Sequence, residues 1–307
     1  MPKIEINGLK YHYWQVGLPG APNVLMLHGL GGNLAVWYAG LVQNLWSDFY
    51  LTTVDLAAHG NSDSPGPGYT LDRMLDDMRL FLEQLGIDKV HIIGHCLGGD
   101  LALNFALVYP ERVGRVIIIE TVLADLAHLY ASPDWEGWAY YAAELEKYTG
   151  ELIPAEQRSD PAYLLQKIQE APLMHGVARG RKRNPKHIER MVQGMEMIRQ
   201  AHAELADLDE ADLQKFMASV TVDNLHQIPH PVLMIYEQDS FFLSSHDELR
   251  SRLPNTQSAF VPPATIKHLS VLDRSKTMAA YCLAFLRTGT VAQVTAEDIA
   301  RAEATLI

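Results

Sequence analysis

The sequence predicts an α/β fold in which a mostly parallel, doubly wound sheet carries a helical insertion. Five short apolar runs favour this fold because they do not alternate with polar residues, a pattern typical of strands buried on both faces. These runs are residues 24–27, 51–54, 90–93, 116–119 and 232–236. Between them lie segments with apolar residues three and four positions apart, at 71–85, 97–109 and 275–286. Strands and helices in alternation indicate a parallel sheet covered by helices.

The chain begins with strands of a different kind. Residues 3–6 and 9–13 alternate polar and apolar side chains, and Asn7-Gly8 lies between them. Because Asn and Gly readily adopt positive φ in a tight turn, this pattern predicts a β-hairpin.

Residues 124–225 contain no strand pattern, and we predict that they form a helical lid over one end of the sheet. Helical patterns occur there at 135–148, 161–169, 185–204 and 211–220. The core then comprises residues 1–123 and 226–288. An aromatic cluster in the lid is a candidate wall of an acyl pocket, although packing of the lid on the core explains it as well. Its members are Trp135, Trp138, Tyr140 and Tyr141.

The C-terminal tail, residues 289–307, is predicted to contain one short helix. Thr295-Ala296-Glu297-Asp298 resembles a capping box at its start. Two positions are open for this helix: on the body of the molecule, or on a second subunit. The sequence leaves the oligomeric state undetermined.

The composition of the chain argues against some classes of partner and some cellular locations. The 307 residues include 25 Lys and Arg against 37 Asp and Glu, a net charge of −12, which argues against nucleic acid as the main partner. The two cysteines cannot form a disulfide framework and suit the reducing cytoplasm. The first residues lack the apolar core of a secretory signal, and no apolar run approaches the ~20 residues of a membrane span. We therefore expect a cytoplasmic protein without a membrane span.

The segment Gly94-His95-Cys96-Leu97-Gly98 joins a predicted buried strand to a predicted helix. It has the pattern of a nucleophile elbow, G-x-S-x-G, with cysteine in place of serine. The glycines are needed because side chains at their positions would collide in so tight a turn. A cysteine at a helix N-terminus is favoured as a thiolate. An isolated cysteine would more simply be a packing residue, but this setting favours a nucleophile.

With this elbow the chain resembles the α/β-hydrolase superfamily, and the resemblance covers residues 1–123 and 226–288. The loop Leu27-His28-Gly29-Leu30-Gly31-Gly32-Asn33 is similar to the family's oxyanion loop. The resemblance implies that the backbone N–H groups of Leu30 and Leu97 form the oxyanion hole. The segment 55–63 is similar to the family's D-x-x-G-x-G-x-S turn, with Ala58 in place of a glycine. The resemblance thus implies the α/β-hydrolase fold with a helical lid.

In this superfamily the acid and the histidine follow the nucleophile. Glu237-Gln238-Asp239-Ser240 follows a buried strand and is similar to the family's G-x-x-D, so the resemblance implies that Asp239 is the acid, with Glu237 in the usual glycine position. Some members carry the acid one strand earlier, which makes Glu120 the alternative. His268 precedes the last core helix and corresponds to the catalytic histidine. Because no His or Cys cluster has metal-ligand spacing, we expect no metal and no cofactor.

Cysteine at the elbow points to an activated acyl donor. A thiolate attacks readily, but the tetrahedral intermediate of an alkyl ester tends to expel the cysteine rather than the alkoxide. A thioester or an activated ester has a better leaving group. We therefore predict a thioesterase or an acyltransferase that works through an acyl-cysteine. Two alternatives remain: an ester or lactone hydrolase whose natural serine was replaced to trap an intermediate, and a non-enzymatic ligand receptor on a hydrolase scaffold.

A basic stretch of the predicted lid suggests a partner. Arg181 and Arg183 lie among six Lys and Arg residues between positions 179 and 190. Such a patch could bind the phosphates of coenzyme A or the acidic surface of an acyl carrier protein, although solvated charge on a lid turn explains it as well.

Overall fold

The computed structural model describes residues 2–66, 69–126, 130, 132–160, 163, 164, 167 and 220–304. In this part of the chain, eight strands form one sheet in the order β1-β2-β4-β3-β5-β6-β7-β8. The strands are β1 Lys3–Ile6, β2 Leu9–Gly17, β3 Asn23–Leu27, β4 Tyr50–Val54, β5 Val90–His95, β6 Val113–Ile119, β7 Val232–Glu237 and β8 Thr256–Val261. All pairs from β4 to β8 are parallel, whereas β1 and β2 pair antiparallel with each other and β2 with β4. The predicted α/β-hydrolase fold class is confirmed.

Eight described α-helices accompany the sheet. They are α1 Leu41–Leu45, α2 Leu71–Gln84, α3 Leu97–Val108, α4 Glu136–Thr149, α5 Leu243–Arg252, α6 Ser270–Asp273, α7 Ser275–Thr288 and α8 Ala296–Ala304. The predicted helical segments 71–85, 97–109, 135–148 and 275–286 correspond to α2, α3, α4 and α7.

The two faces of the sheet carry separate apolar cores. Ile92 of β5 packs with α2 and α3 on one face, and the next residue, Ile93, packs with α1 and α7 on the other. Ile118 and Ile117 of β6 divide in the same way. Successive side chains of a strand point to opposite faces, so both must be apolar where helices cover both. This explains why the central strands read as continuous apolar runs.

The two strands at the edges of the sheet are only half buried. The N-terminal hairpin forms as predicted, with φ of 47° at Asn7 and 81° at Gly8. At the other edge, β8 has the sequence Thr-Gln-Ser-Ala-Phe-Val, of which only Ala259 and Val261 are buried. Its polar residues explain why no apolar run marks this strand in the sequence.

The described part of the segment 124–225 contains α4 and no strand. Trp138 and Leu145 of α4 pack with Ile153 and Leu164, and Ile266 of the loop before α6 contacts this cluster. The helices predicted at 185–204 and 211–220 lie outside the described residues apart from Val220, as do Arg181, Arg183 and most of 161–169. The lid as a unit stays a prediction.

The tail helix α8 docks on the body of its own chain. Its start is capped by Thr295 and Asp298, whose backbone N–H groups and side chains bond reciprocally. Ile299 and Ala302 pack against the core that contains α7, and the Thr277 hydroxyl of α7 donates to Glu303 at 2.8 Å. The predicted capping box is therefore present, with an aspartate as its acidic member.

Candidate active site

Backbone conformation sets three site residues apart. Among the described residues, five non-glycine residues have positive φ: Asn7, Ala58, Cys96, Glu120 and His268. Positive φ is costly for residues with a Cβ and persists where the surrounding structure enforces it, often at functional sites. Cys96 follows β5, Glu120 follows β6, and His268 lies in the loop between β8 and α6. These three residues meet at the carboxyl end of the parallel strands.

Cys96 stands between the end of β5 and the first residue of α3, with φ 51° and ψ −117°. The neighbouring glycines are required sterically. A Cβ on Gly98 would lie 2.0 Å from the Leu27 carbonyl oxygen, and one on Gly94 would lie 2.1 Å from the Gly98 carbonyl oxygen. The strand can therefore turn into the helix, and present the Cys96 thiol at the turn, only with glycine at both positions.

Two backbone N–H groups point at the Cys96 sulfur. They belong to Leu30 and Leu97, the residues predicted for the oxyanion hole. Partial burial would raise the pKa of the Cys96 thiol, but the charge and hydrogen bond of His268, together with these two N–H groups, hold it below its usual value. The resting site therefore favours a thiolate.

The loop that carries Leu30 is fixed by buried polar contacts. The Leu56 N–H donates to His28 Nε2 at 3.0 Å, so His28 Nδ1 carries the proton and donates to the Gly29 carbonyl oxygen at 2.8 Å. The Asp55 carboxylate accepts from the Leu34 N–H at 2.7 Å. The turn that begins at Asp55 thus holds the predicted oxyanion loop in place.

His268 completes a pair of opposite charges with Cys96. Burial would lower the pKa of His268, but the Cys96 charge and hydrogen bond, followed by those of Glu120, raise it to about 10. An imidazole with this pKa is protonated at neutral pH. The two groups therefore favour each other's charged forms, the thiolate and the imidazolium.

The carboxylate beside His268 is that of Glu120, the alternative acid, and not that of Asp239, the acid that the resemblance implies. The Glu120 Oε2 lies 3.5 Å from His268 Nδ1, and the side chain of Glu120 is fully buried. Asp239 is 42% exposed and pairs with Lys267 Nζ at 3.0 Å. Within the described chain, no ion pair joins Asp239 to His268. The strand β7 ends in a turn that directs Asp239 toward the surface.

Further hydrogen bonds fix the Glu120 carboxylate. Its Oε1 accepts from the Glu237 N–H at 2.6 Å, and its Oε2 accepts from the Ser240 hydroxyl at 2.8 Å. The turn after β7, where the sequence placed the acid, therefore supplies donors to the acid that follows β6.

Aromatic rings of α4 and of the turn before α5 border the pair. Phe242 lies edge-on to His268 with ring centroids 4.7 Å apart, and Trp135 packs on Phe242 at 5.7 Å. Burial, followed by the charges of Glu120 and Cys96, raises the pKa of Tyr141. Trp138 lies behind Trp135, with its indole N–H donating to the Ser132 carbonyl oxygen at 3.0 Å. Of the predicted wall, Tyr141 and Trp135 thus lie nearer the site than Trp138.

The described residues contain neither a metal-binding cluster nor a membrane-spanning helix. No group of three or more His, Cys, Asp or Glu side chains there has an arrangement that could hold a metal ion. None of the helices described combines the length and the apolar character that crossing a membrane requires.

A tight strand-to-helix turn at a cysteine, paired N–H donors and a histidine meet at the carboxyl edge of a mostly parallel sheet, as in the sites of α/β-hydrolases. The sequence model of the alpha/beta hydrolase fold matches residues 22–274, and the chain belongs to this family.

Known proteins agree with this assignment. Human epoxide hydrolase 4 is 35% identical over 121 residues, which are 38% of this chain and 33% of that protein. The chain thus matches about a third of the length of that relative. An alpha/beta hydrolase from a Medee basin deep-sea metagenome library superposes with a TM-score of 0.66 at 20% identity, over 94% of this chain and 98% of the other. The enol-lactonase of Burkholderia xenovorans LB400 gives 0.61 at 17%, over 93% and 100%. These structural likenesses show the fold.

Proposed function

We propose that this protein is an acyl-transfer enzyme in which Cys96, His268 and Glu120 act through a covalent acyl-cysteine. The observation that carries the proposal is the hydrogen bond between Cys96 and His268, backed by the buried Glu120 carboxylate 3.5 Å from His268 Nδ1. A thiolate held between an imidazolium and two N–H donors is an activated nucleophile. A receptor built on a hydrolase scaffold would not require this pair, so the arrangement favours an enzyme.

The first half-reaction follows from the positions of these groups. The Cys96 thiolate attacks the carbonyl carbon of the donor, and the carbonyl π electrons move to the oxygen. The N–H groups of Leu30 and Leu97 stabilise this oxyanion; one such donor contributes about 3–4 kcal/mol to transition-state stabilisation in related chemistry. When the intermediate collapses, the bond to the leaving group breaks. The leaving thiolate or enolate takes the proton from His268, and an acyl-cysteine remains.

The second half-reaction uses His268 in its neutral form. The imidazole removes a proton from the acceptor, which is water in a thioesterase and another nucleophile in an acyltransferase. The acceptor attacks the acyl-cysteine, and collapse expels the Cys96 thiolate. The charged pair is thereby restored. Glu120 stabilises each imidazolium state, because its carboxylate lies beside Nδ1.

The choice of donor rests on Cys96. An alkoxide is a poorer leaving group than a thiolate, so an alkyl ester would return the intermediate to the starting complex. A thioester or an enol ester has a leaving group comparable to the cysteine. The proposal therefore names acyl thioesters and activated esters as donors. A catalytic thiolate works best in a reducing compartment, which favours the cytoplasm.

The carrier of the acyl group is a finer part of the proposal. Arg181 and Arg183 would bind a phosphorylated or acidic carrier such as coenzyme A or an acyl carrier protein. Replacing both with glutamate should raise KM for a carrier-bound thioester and spare the matching short cysteamine thioester. Equal effects on the two donors would exclude this role.

Mass spectrometry of the intact protein tests the proposed function. Mixing with acyl thioesters should add the acyl mass to Cys96, and Cys96→Ala should prevent the addition. Cys282→Ala is the matched control, because burial raises the pKa of that thiol and leaves it unreactive. Turnover without labelling of Cys96, at the same rate in Cys96→Ala, would contradict the proposal.

Cys96→Ser separates the proposal from an ester hydrolase whose serine was replaced. We expect this variant to lose most thioester turnover, because a serine hydroxyl is not ionised by His268 at neutral pH. A large gain of alkyl-ester hydrolysis would instead support the replaced-serine alternative.

A further inference from the structure

Glu237, the last residue of β7, stands where the resemblance expects a glycine, and its side chain is buried. Its carboxylate bridges two backbone positions of the loop that carries His268. Oε1 accepts from the His268 N–H at 2.9 Å, and Oε2 accepts from the Ala264 N–H at 3.1 Å. A buried carboxylate is costly unless donors satisfy it, and here the donors come from the histidine loop.

His95 holds the opposite side of the same residue. Its Nε2 lies 2.9 Å from the His268 carbonyl oxygen. Because a carbonyl oxygen only accepts, Nε2 must carry the proton and donate. Burial, and then the charge of His268, lower the pKa of His95 to about 3, so the ring stays neutral beside the imidazolium. Its ring lies 5.0 Å from that of His268, between centroids.

The backbone of His268 needs such support. Its φ of 73° is a conformation that residues with a Cβ rarely adopt. We propose that Glu237 and His95 form a clamp on the backbone of His268 and act as positioning residues for the charged pair of Cys96 and His268. The inference rests on the proposed function for its biological meaning, since the clamp matters only if that pair is reactive.

The clamp should act on the thiol through charge as well as geometry. The titratable side chains around Glu237 are those of Glu120, His268, Tyr140 and Tyr141, and burial, followed by the charge of Glu120, raises the pKa of the Glu237 carboxyl group. A carboxylate at Glu237 favours the imidazolium, which in turn favours the thiolate of Cys96. Glu237→Gln keeps the size of the side chain, removes the charge and turns an NH₂ group toward one of the two N–H donors. The His268 imidazole should then be held less firmly in position, and its charged form should be less stabilised.

Alkylation of Cys96 by iodoacetamide tests the clamp without any acyl donor. Its rate is followed from about pH 5 to pH 10, because it reports the thiolate fraction. In Glu237→Gln we expect the inflexion to move to higher pH and the rate at pH 7 to fall about tenfold. The control is Glu248→Gln, which removes an exposed carboxylate of α5 that bonds Arg252 at 2.9 Å. A Glu237→Gln profile that coincides with those of Glu248→Gln and the wild type would overturn the clamp, whatever its effect on thermal stability.

A pair of variants at His95 decides the question if Glu237→Gln does not fold. His95→Gln places an amide N–H donor near the position of Nε2 and should keep the profile. His95→Leu removes the donor and should move the inflexion upward. Identical profiles for His95→Leu and the wild type would overturn the clamp. A shifted profile in a protein that never forms acyl-cysteine would overturn the proposed function alone.

Discussion

Strands β6 and β7 end side by side, and each leads to an acidic residue close to the active-site histidine. After β6, Glu120 has a φ of 48°, a fully buried side chain and a carboxylate 3.5 Å from His268 Nδ1. After β7, Asp239 is 42% exposed and bonds the Lys267 ammonium at 3.0 Å. The two ends differ in where the carboxylate points, although both follow a buried strand.

Burial decides which acid can act on the histidine. An exposed ion pair contributes only about 0–1 kcal/mol, because water screens both charges. A buried carboxylate in fixed hydrogen bonds acts through a lower dielectric and is not free to turn away. Asp239, the acid at the motif position, therefore forms a partly exposed ion pair with Lys267. Glu120, the acid one strand away, stabilises the positive charge of His268.

We expect the largest difference between the two acids when each carboxylate is replaced by its amide. Glu120→Gln should lower kcat for a thioester about 10²- to 10⁴-fold, because the imidazolium loses its buried counter-charge. Asp239→Asn should lower it by less than about fivefold, as an exposed ion pair implies. Steady-state kinetics on both variants, with circular dichroism as the control for folding, measures the difference. A larger loss in Asp239→Asn would reverse the assignment.

The reactivity of the Cys96 thiol should depend on pH. A thiolate forms once the pH exceeds the thiol pKa, and that of Cys96 lies below its usual value of 9.0. Alkylation should therefore begin at a lower pH than for an ordinary cysteine and fall as the pH drops through the lowered pKa. In His268→Asn burial acts on the thiol without the opposing charge, so the inflexion should rise and the rate at pH 7 should fall at least about tenfold.

Wild type and Asp239→Asn serve as matched controls for this pH profile and should give the same curve. Alkylation that begins only above the usual cysteine range in the wild type would contradict the charged pair.

A smaller effect is expected from the groups that support each acid. Ser240→Ala removes the hydroxyl that donates to Glu120 Oε2 at 2.8 Å. It should lower kcat about tenfold, or about 1.4 kcal/mol in the barrier. Lys267→Met removes the partner of Asp239 and should change kcat by less than about threefold. Steady-state kinetics and thermal unfolding of both variants measure these changes. Equal losses of kcat in Ser240→Ala and Lys267→Met would contradict the distinction between the two acids.

Much of this site could be predicted from the sequence. The apolar runs predict five of the six parallel strands, β3 to β7, and Gly94 and Gly98 indicate the elbow, because the turn has no room for side chains at their positions. His268 was identified from its place before the last core helix. These features depend on local sequence patterns that tolerate little variation.

The acid could not be chosen from the sequence, because its direction depends on tertiary packing. Glu120 follows three isoleucines at the end of β6, which says nothing of its φ or of the donors from the turn after β7. One signal was available: Glu237 stands where a glycine is usual, so a carboxylate already occupies the space beside the histidine loop. Likewise, Tyr141 has the helical spacing of a packing residue, which does not show that it faces Glu120 and Cys96.

The ring of His268 gives the most direct test of the central claim, that Cys96, His268 and Glu120 form one charged unit. In protein labelled with ¹⁵N-histidine, NMR at neutral pH should show the signal of a His268 ring with both nitrogens protonated. This signal should persist in Asp239→Asn and disappear in Glu120→Gln and in Cys96→Ala. A neutral His268 in the wild type, or a signal lost in Asp239→Asn and retained in Glu120→Gln, would contradict the account.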